Sequence, residues 1–204
     1  MDQLTTKTTA DGFLAIDLKM MRRCVELSRT AAAEGEFPFA CMVCRGDAVL
    51  AESINRVTRD RDITRHAELV AISQAQKAIG KMKLSGCTLY SNVEPCVMCA
   101  FPLREARIGR VVFALRSPLM GGFSRWNVLA DGGISDVMPE SFGHPVEVIV
   151  GLLAEEAERV WHEWNPIVWN VIKRRGCFEA GPFERRAAAQ KRSFLREVLS
   201  IFHN

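Results

Sequence analysis

The 204-residue sequence lacks the segments that would carry a chain into or across a membrane. Its first twelve residues, MDQLTTKTTADG, are polar and Thr-rich and hold no apolar core of a secretion signal. The most apolar late stretch, 146–154, is too short to span a bilayer and carries Glu147. With secretion not expected, the seven cysteines read as reduced thiols or metal ligands rather than a disulfide framework, and the expected location is cytoplasmic. Internal repeats and low-complexity segments are also missing. With 48% apolar and 25% charged residues, the composition is that of an ordinary globule, neither disordered nor fibrous.

A strong excess of charge is missing too: the formal net charge is +3. It is unevenly placed, because residues 171–204 hold eight Lys or Arg against Glu179, Glu184 and Glu197. A basic tail can contact nucleic acid. Here the charges alternate with Phe183, Phe194, Leu195, Val198, Leu199 and Phe202 at helical spacing, which points first to a solvated amphipathic helix.

Periodicity predicts a helix over 17–34, stopped by Gly35 and Pro38. Two strands, 39–44 and 48–54, flank the turn Arg45-Gly46-Asp47. Thr64 is the expected N-cap of a helix over 65–79 that ends at Gly80. A strand at 87–91, a helix over 96–106 opened near Pro95, and a strand at 111–115 follow. Residues 117–133 read as a long functional loop, 146–150 as a fifth strand and 154–164 as a helix. Strands alternating with helices predict an α/β fold with a mixed sheet covered on both faces. The expected organisation is a loose N-terminus (1–16), one domain (17–165) and a helical basic extension (166–204), with a break at Asn165-Pro166. Trp161, Trp164 and Trp169 are expected to anchor the last helices to the sheet.

The chemistry concentrates in His66-Ala67-Glu68 and Glu94-Pro95-Cys96-Val97-Met98-Cys99. Cysteines three apart at the start of a helix point to one face. The partial positive charge of a helix N-terminus favours their thiolates, the metal-binding form. One His and two Cys make three ligands, and three protein ligands with an open fourth position mark a catalytic zinc rather than a structural one. Glu68 would face away from His66 along an ideal helix, but in the first turn the two can converge, with Glu68 as proton carrier. Together, thirty residues apart, these pieces form the H-x-E…P-C-x-x-C signature of zinc deaminases. The backbone N–H of Cys96, at a helix start, is a candidate donor to the developing charge.

The second C-x-x-C, Cys41 to Cys44, lies in a strand, where residues three apart point to opposite faces. Both are expected in the core, as are Cys24, Cys87 and Cys177. His144 and His162 read as ordinary polar residues. Arg125 and Trp126 can bind and stack on a base, or simply pack.

These motifs, joined by Phe37-Pro38-Phe39-Ala40, Asn55-Arg56, Thr64-Arg65 and Arg107-Ile108-Gly109-Arg110-Val111-Val112-Phe113, resemble the cytidine/deoxycytidylate deaminase superfamily over about residues 17–165. The resemblance is to the branch that contains tRNA adenosine deaminases and guanine deaminases. It implies a three-layer α-β-α sandwich around a five-stranded sheet, one zinc per subunit and a homodimer. It also implies that Asn55 hydrogen-bonds the base or sugar and that Phe39 and Ala40 line the base pocket. The sequence departs from the branch at Arg65, at Phe101-Pro102, over 121–127 and in its longer C-terminal extension.

The expected activity is hydrolytic deamination of an amino-substituted nucleobase or nucleoside, purine-type before pyrimidine or triazine, releasing ammonia. A tRNA-specific adenosine deaminase is the alternative, favoured by the basic tail and the Arg107–Arg110 segment and opposed by the departures. An inactive zinc scaffold is a third reading, and the presence of Glu68 argues against it.

Overall fold

The computed structural model describes residues 13–181. The expected amphipathic helix beyond residue 182 and most of the expected loose N-terminus lie outside that range. The first helix, α1 (Ala15–Ala33), opens with Asp17 accepting from the Leu14 N–H at 2.7 Å. The hairpin follows as β1 (Ala40–Arg45) and β2 (Ala48–Ile54), with Gly46 in the left-handed region at φ 59° where its turn needs it. A short helix, α2 (Val57–Asp60), precedes α3 (Ala67–Ile79), which Gly80 ends in the left-handed conformation.

The remaining elements are β3 (Thr88–Val93), α4 (Val97–Glu105), β4 (Arg110–Leu115), α5 (Gly132–Val137), β5 (Glu147–Val150), α6 (Ala154–Trp164) and α7 (Pro166–Arg174). The strands form one sheet in the order β2-β1-β3-β4-β5. β1 pairs antiparallel with β2 and β3, whereas β3, β4 and β5 run parallel, joined by crossovers that carry helices. The result is the expected mixed five-stranded sheet between two helical layers.

Strand alternation sorts the core. Ala40, Met42 and Cys44 join Tyr90, Val112 and the α1 and α6 side chains on one face. Cys41 and Val43 join Leu89, Val111, Phe113 and residues of α3 and α4 on the other. The two thiols of that C-x-x-C therefore end on opposite faces, both fully buried, and burial pushes Cys44 up to about 12 and Cys41 well above its ordinary value.

Three expectations change. Thr64 does not cap α3, because its hydroxyl and N–H both turn to Asp62 Oδ1 and the N-cap falls on His66. The loop expected over 117–133 runs into α5, which Asp131 caps through the Gly133 N–H. Past residue 165 the chain does not leave the core: Asn165 caps α7, and Trp169 and Phe178 are buried with Trp161. Trp164 packs against that cluster from its edge, so all three tryptophans hold the last helices as expected. No helix among the described residues is long and apolar enough to cross a membrane.

Candidate metal and active site

The candidate residues meet along one edge of the sheet. β1 and β3 are antiparallel, so the start of β1 (Phe39, Ala40) lies beside the end of β3, and the end of β2 delivers Asn55 to the same edge. Chain leaving β3 forms Glu94-Pro95-Cys96 and opens α4, and chain leaving β4 supplies Ser117. This is the carboxyl end of the parallel strands, where open α/β sheets bind ligands.

His66 and Cys96 are both N-caps, with extended backbones (ψ 145° and 170°) that turn their side chains off their helix ends toward each other. Cys99 reaches the same point from within α4. His66 Nδ1 lies 3.6 Å from Cys96 Sγ and 3.5 Å from Cys99 Sγ, and the sulfurs are 3.7 Å apart. Tetrahedral zinc with Zn–S near 2.3 Å and Zn–N near 2.0–2.1 Å separates its ligand atoms by about 3.8 Å (S to S) and about 3.6 Å (S to N). The donor set fits zinc, and it is the one such cluster found among the described residues. Contact with Cys99 draws the Cys96 thiol down to about 4, with burial opposing and His66 assisting.

Glu68 stands in the first turn of α3, buried against this cluster. Burial pushes its carboxyl up to about 7, the charge of Cys96 adds to the rise, and His66 opposes it. A carboxyl near neutrality can both take and give a proton.

His66, Glu68 and Cys96 form the floor of a cavity of about 90 Å³. Phe39, Val93 and Asn55 line it from the sheet edge, Ser117 and Met120 from the following loop, and Phe178 from beyond α7. Of the expected pocket residues, Phe39 and Asn55 are on its wall. Ala40 is not: it is fully buried, its N–H taken by Asn92 Oδ1 and its carbonyl by Cys24 and Ser91. Arg65 also lies off the wall, paired with Asp62 and Asp60. Arg125 stacks on the exposed Trp126, 5.3 Å from the ring centroid. A larger hollow of about 710 Å³ lies at the opposite end of the sheet, beside Arg107, Gly109 and His144, and contains none of the cluster. The chemistry, not the volume, locates the site.

Two wall residues and one behind the wall carried no expectation as functional groups. Glu94 accepts from the Ser117, Phe123 and Ser124 N–H groups and the Ser124 hydroxyl, tying the loop over the site. Its place beside Pro95-Cys96 was its signal. Phe178 is seated by a two-way backbone bridge between Arg116 and Glu179 and by Trp161, 5.2 Å between centroids. Glu36 stands behind Asn55 and accepts its Nδ2–H at 2.9 Å.

Residues 15–115 match the family model described as the cytidine and deoxycytidylate deaminase zinc-binding region. The tRNA-specific adenosine deaminase of Bacillus subtilis is 35% identical over 138 residues, 67% of this chain and 80% of that protein. The tRNA(Ile)-lysidine synthase of Deinococcus deserti is 36% identical over 141 residues, but the chain spans only 25% of its length. Among solved structures, a tRNA:A34 deaminase studied for A-to-I editing superposes with a TM-score of 0.58 at 29% identity, covering 70% of this chain and 99% of that one. The guanine deaminase of Nitrosomonas europaea gives 0.61 at 26% identity, covering 80% and 91%. Identity at this level across most of a relative goes beyond a shared fold: the chain belongs to the cytidine and deoxycytidylate deaminase family, zinc-binding hydrolytic enzymes that act on C–N bonds.

Proposed function

We propose that the protein deaminates a small amino-substituted nucleobase or nucleoside, purine-type first, with His66, Cys96 and Cys99 as zinc ligands and Glu68 as the proton carrier. The observation that carries this reading is the buried Glu68 carboxyl beside a zinc-type donor set, with Glu68, His66 and Cys96 lining one cavity.

Zinc, when bound, supplies Lewis acidity, by which water becomes a nucleophile near neutral pH. Glu68 takes one proton from the attacking water and gives it to the ring nitrogen next to the amine-bearing carbon. The new C–O bond forms at that carbon. Glu68 then takes the remaining water proton and delivers it to the amine as the C–N bond breaks, so ammonia leaves and a carbonyl stays. The Cys96 N–H, at the start of α4, is the candidate donor to the developing charge. Phe39 offers the ring an apolar face, Asn55 a polar contact, and Ala40 supports that wall from behind.

A small substrate is favoured by Phe178. That ring forms one wall of the cavity of about 90 Å³. A bulky apolar ring at that wall leaves less room for the sugar and phosphates of a polymer-borne base than for a free ring. The tRNA reading is supported by the 35% identity to a tRNA-specific adenosine deaminase and by the superposition on a tRNA:A34 deaminase at 29% identity.

The deciding experiment measures ammonia release from free bases, nucleosides and tRNA, with Glu68→Gln as control. The variant should retain zinc and lose about 10²–10⁴-fold in turnover. Substantial activity in Glu68→Gln sinks the assignment. Release from tRNA alone, with tRNA binding that weakens steeply with salt, moves the substrate to the alternative.

A further inference from the structure

Asn55 does not meet the cavity as a free-swinging amide. Its Nδ2–H is held by Glu36 Oε2 at 2.9 Å, and both residues are buried. Glu36 is itself fixed, because the same carboxylate accepts the Thr58 N–H at 3.2 Å and the Arg59 N–H at 2.7 Å from the first turn of α2. The Asn55 backbone is fixed as well, its N–H donating to the Phe39 carbonyl at 2.9 Å. An amide can turn over to exchange its oxygen and nitrogen, but a carboxylate only accepts. Asn55 must therefore present nitrogen to Glu36 and oxygen away from it. Among the described residues no donor takes up that oxygen.

We propose that Glu36 is a positioning residue that sets the polarity of Asn55, so that its amide oxygen is the acceptor the cavity offers to a donor on the substrate. The consequence for turnover rests on the deaminase reading above. The chemistry selected is a hydrogen-bond donor, either an N–H of the ring or a sugar hydroxyl. A ring methylated at that nitrogen is then rejected, whereas a sugar-borne donor makes the nucleoside, not the free base, sensitive to Asn55 replacement.

The test exchanges donor and acceptor. Asn55→Asp alone sets two carboxylates against each other and should lower kcat/KM by about 100-fold or more. In the double variant Glu36→Gln/Asn55→Asp, the introduced glutamine donates to the introduced aspartate, which keeps an oxygen toward the cavity. We expect the double variant to recover at least about tenfold over Asn55→Asp, mostly in KM. If Glu36 serves only to cap α2, the double variant is no better than the single one, and the proposal is overturned. A second measurement does not depend on activity. In the folded protein one Asn55 side-chain amide proton should exchange slowly, and Glu36→Ala should abolish that protection while the remaining amide spectrum persists. Equal exchange in both proteins overturns the pairing. If the unmodified protein releases ammonia from no compound tested, the deaminase reading fails by itself, and the amide measurement still decides the role of Glu36.

Discussion

A side chain at Gly121 would overlap the carboxyl group of Glu94, the residue that gathers the loop over the candidate site. Gly122, next in the chain, is as tightly placed against Ala100 of α4. Their lack of side chains lets the Ser117, Phe123 and Ser124 N–H groups close on one carboxylate. Gly121→Ala should destabilise the protein by about 1–3 kcal/mol through overpacking. It should also lower activity well beyond the fraction unfolded, because Ser117 and Met120 on the cavity wall move with the loop. Urea denaturation and kinetics on the same sample check both. A variant as stable and active as the parent would mean that the loop does not need this closure.

The two C-x-x-C pairs should separate cleanly on metal analysis. Cys96 and Cys99 lie 3.7 Å apart with His66 beside them, whereas Cys41 and Cys44 face opposite layers of the core. Cys99→Ala or His66→Ala should lose bound zinc and activity together, and a strong chelator should reproduce the loss, reversed by added zinc. Cys41→Ala should keep one zinc per chain and show a loss of stability of about 1 kcal/mol from a small cavity. Zinc lost from Cys41→Ala, measured by elemental analysis, would contradict the assignment.

How far the sequence reveals the molecule depends on the range of the interaction that decides each residue. Cys41 and Cys44 were readable because alternation along a strand is local. The candidate metal ligands were readable as a group because their spacing on two helix starts is itself the chemistry, and the structure brings them together. Thr64 misled because Asp62, two residues earlier, captures its hydroxyl before α3 can use it. The helix α2 has four residues, too few for any period to show. Glu36 and Phe178 left no local signal at all. The partners of Glu36 lie from 19 to 23 residues away, and Phe178 reaches the cavity only through a bridge to Arg116, 63 residues from Glu179. Ala40 shows the converse: its neighbour Phe39 meets the cavity, and alternation turns Ala40 into the core.

Away from the site, the sequence's single tyrosine sits in a buried ionic cluster. Asp17 accepts from Tyr90 at 2.8 Å, from the Leu14 N–H at 2.7 Å, and from both terminal nitrogens of Arg110 at 2.6 and 2.8 Å. Burial alone would raise the Asp17 carboxyl, but Arg110, Leu14 and Tyr90 outweigh it and hold it below its usual value. A carboxyl lowered on folding contributes stability above its unfolded pKa of about 3.9 and loses it as pH falls through the folded value. Asp17→Asn, which leaves the largely buried Arg110 with only the exposed Glu147 as counter-charge, should cost about 3 kcal/mol at neutral pH. The gap between parent and variant should stay constant from pH 8 to about 5 and narrow below about 4. Denaturation curves collected across that range test the sign, and a gap that widens in acid would refute it.

Phe178 offers the sharpest test of what enters the cavity. Its ring meets Phe39 edge-on at 5.9 Å and Trp161 at 5.2 Å, and the Arg116–Glu179 ion pair at 2.7 Å reinforces the bridge that holds the segment. Phe178→Leu retains an apolar side chain and should cost stability only modestly, about 1 kcal/mol. It removes the edge of the wall, so larger substrates gain relative to smaller ones. The measurement is the ratio of kcat/KM for a nucleoside to that for its free base, which cancels any general loss of folded enzyme. Pocket discrimination by an apolar group of this size is worth about 10–200-fold, so the ratio should rise by about tenfold or more. An unchanged ratio would show that Phe178 does not limit the substrate, and the case for a small ring over a polymer-borne base would lose its main structural support.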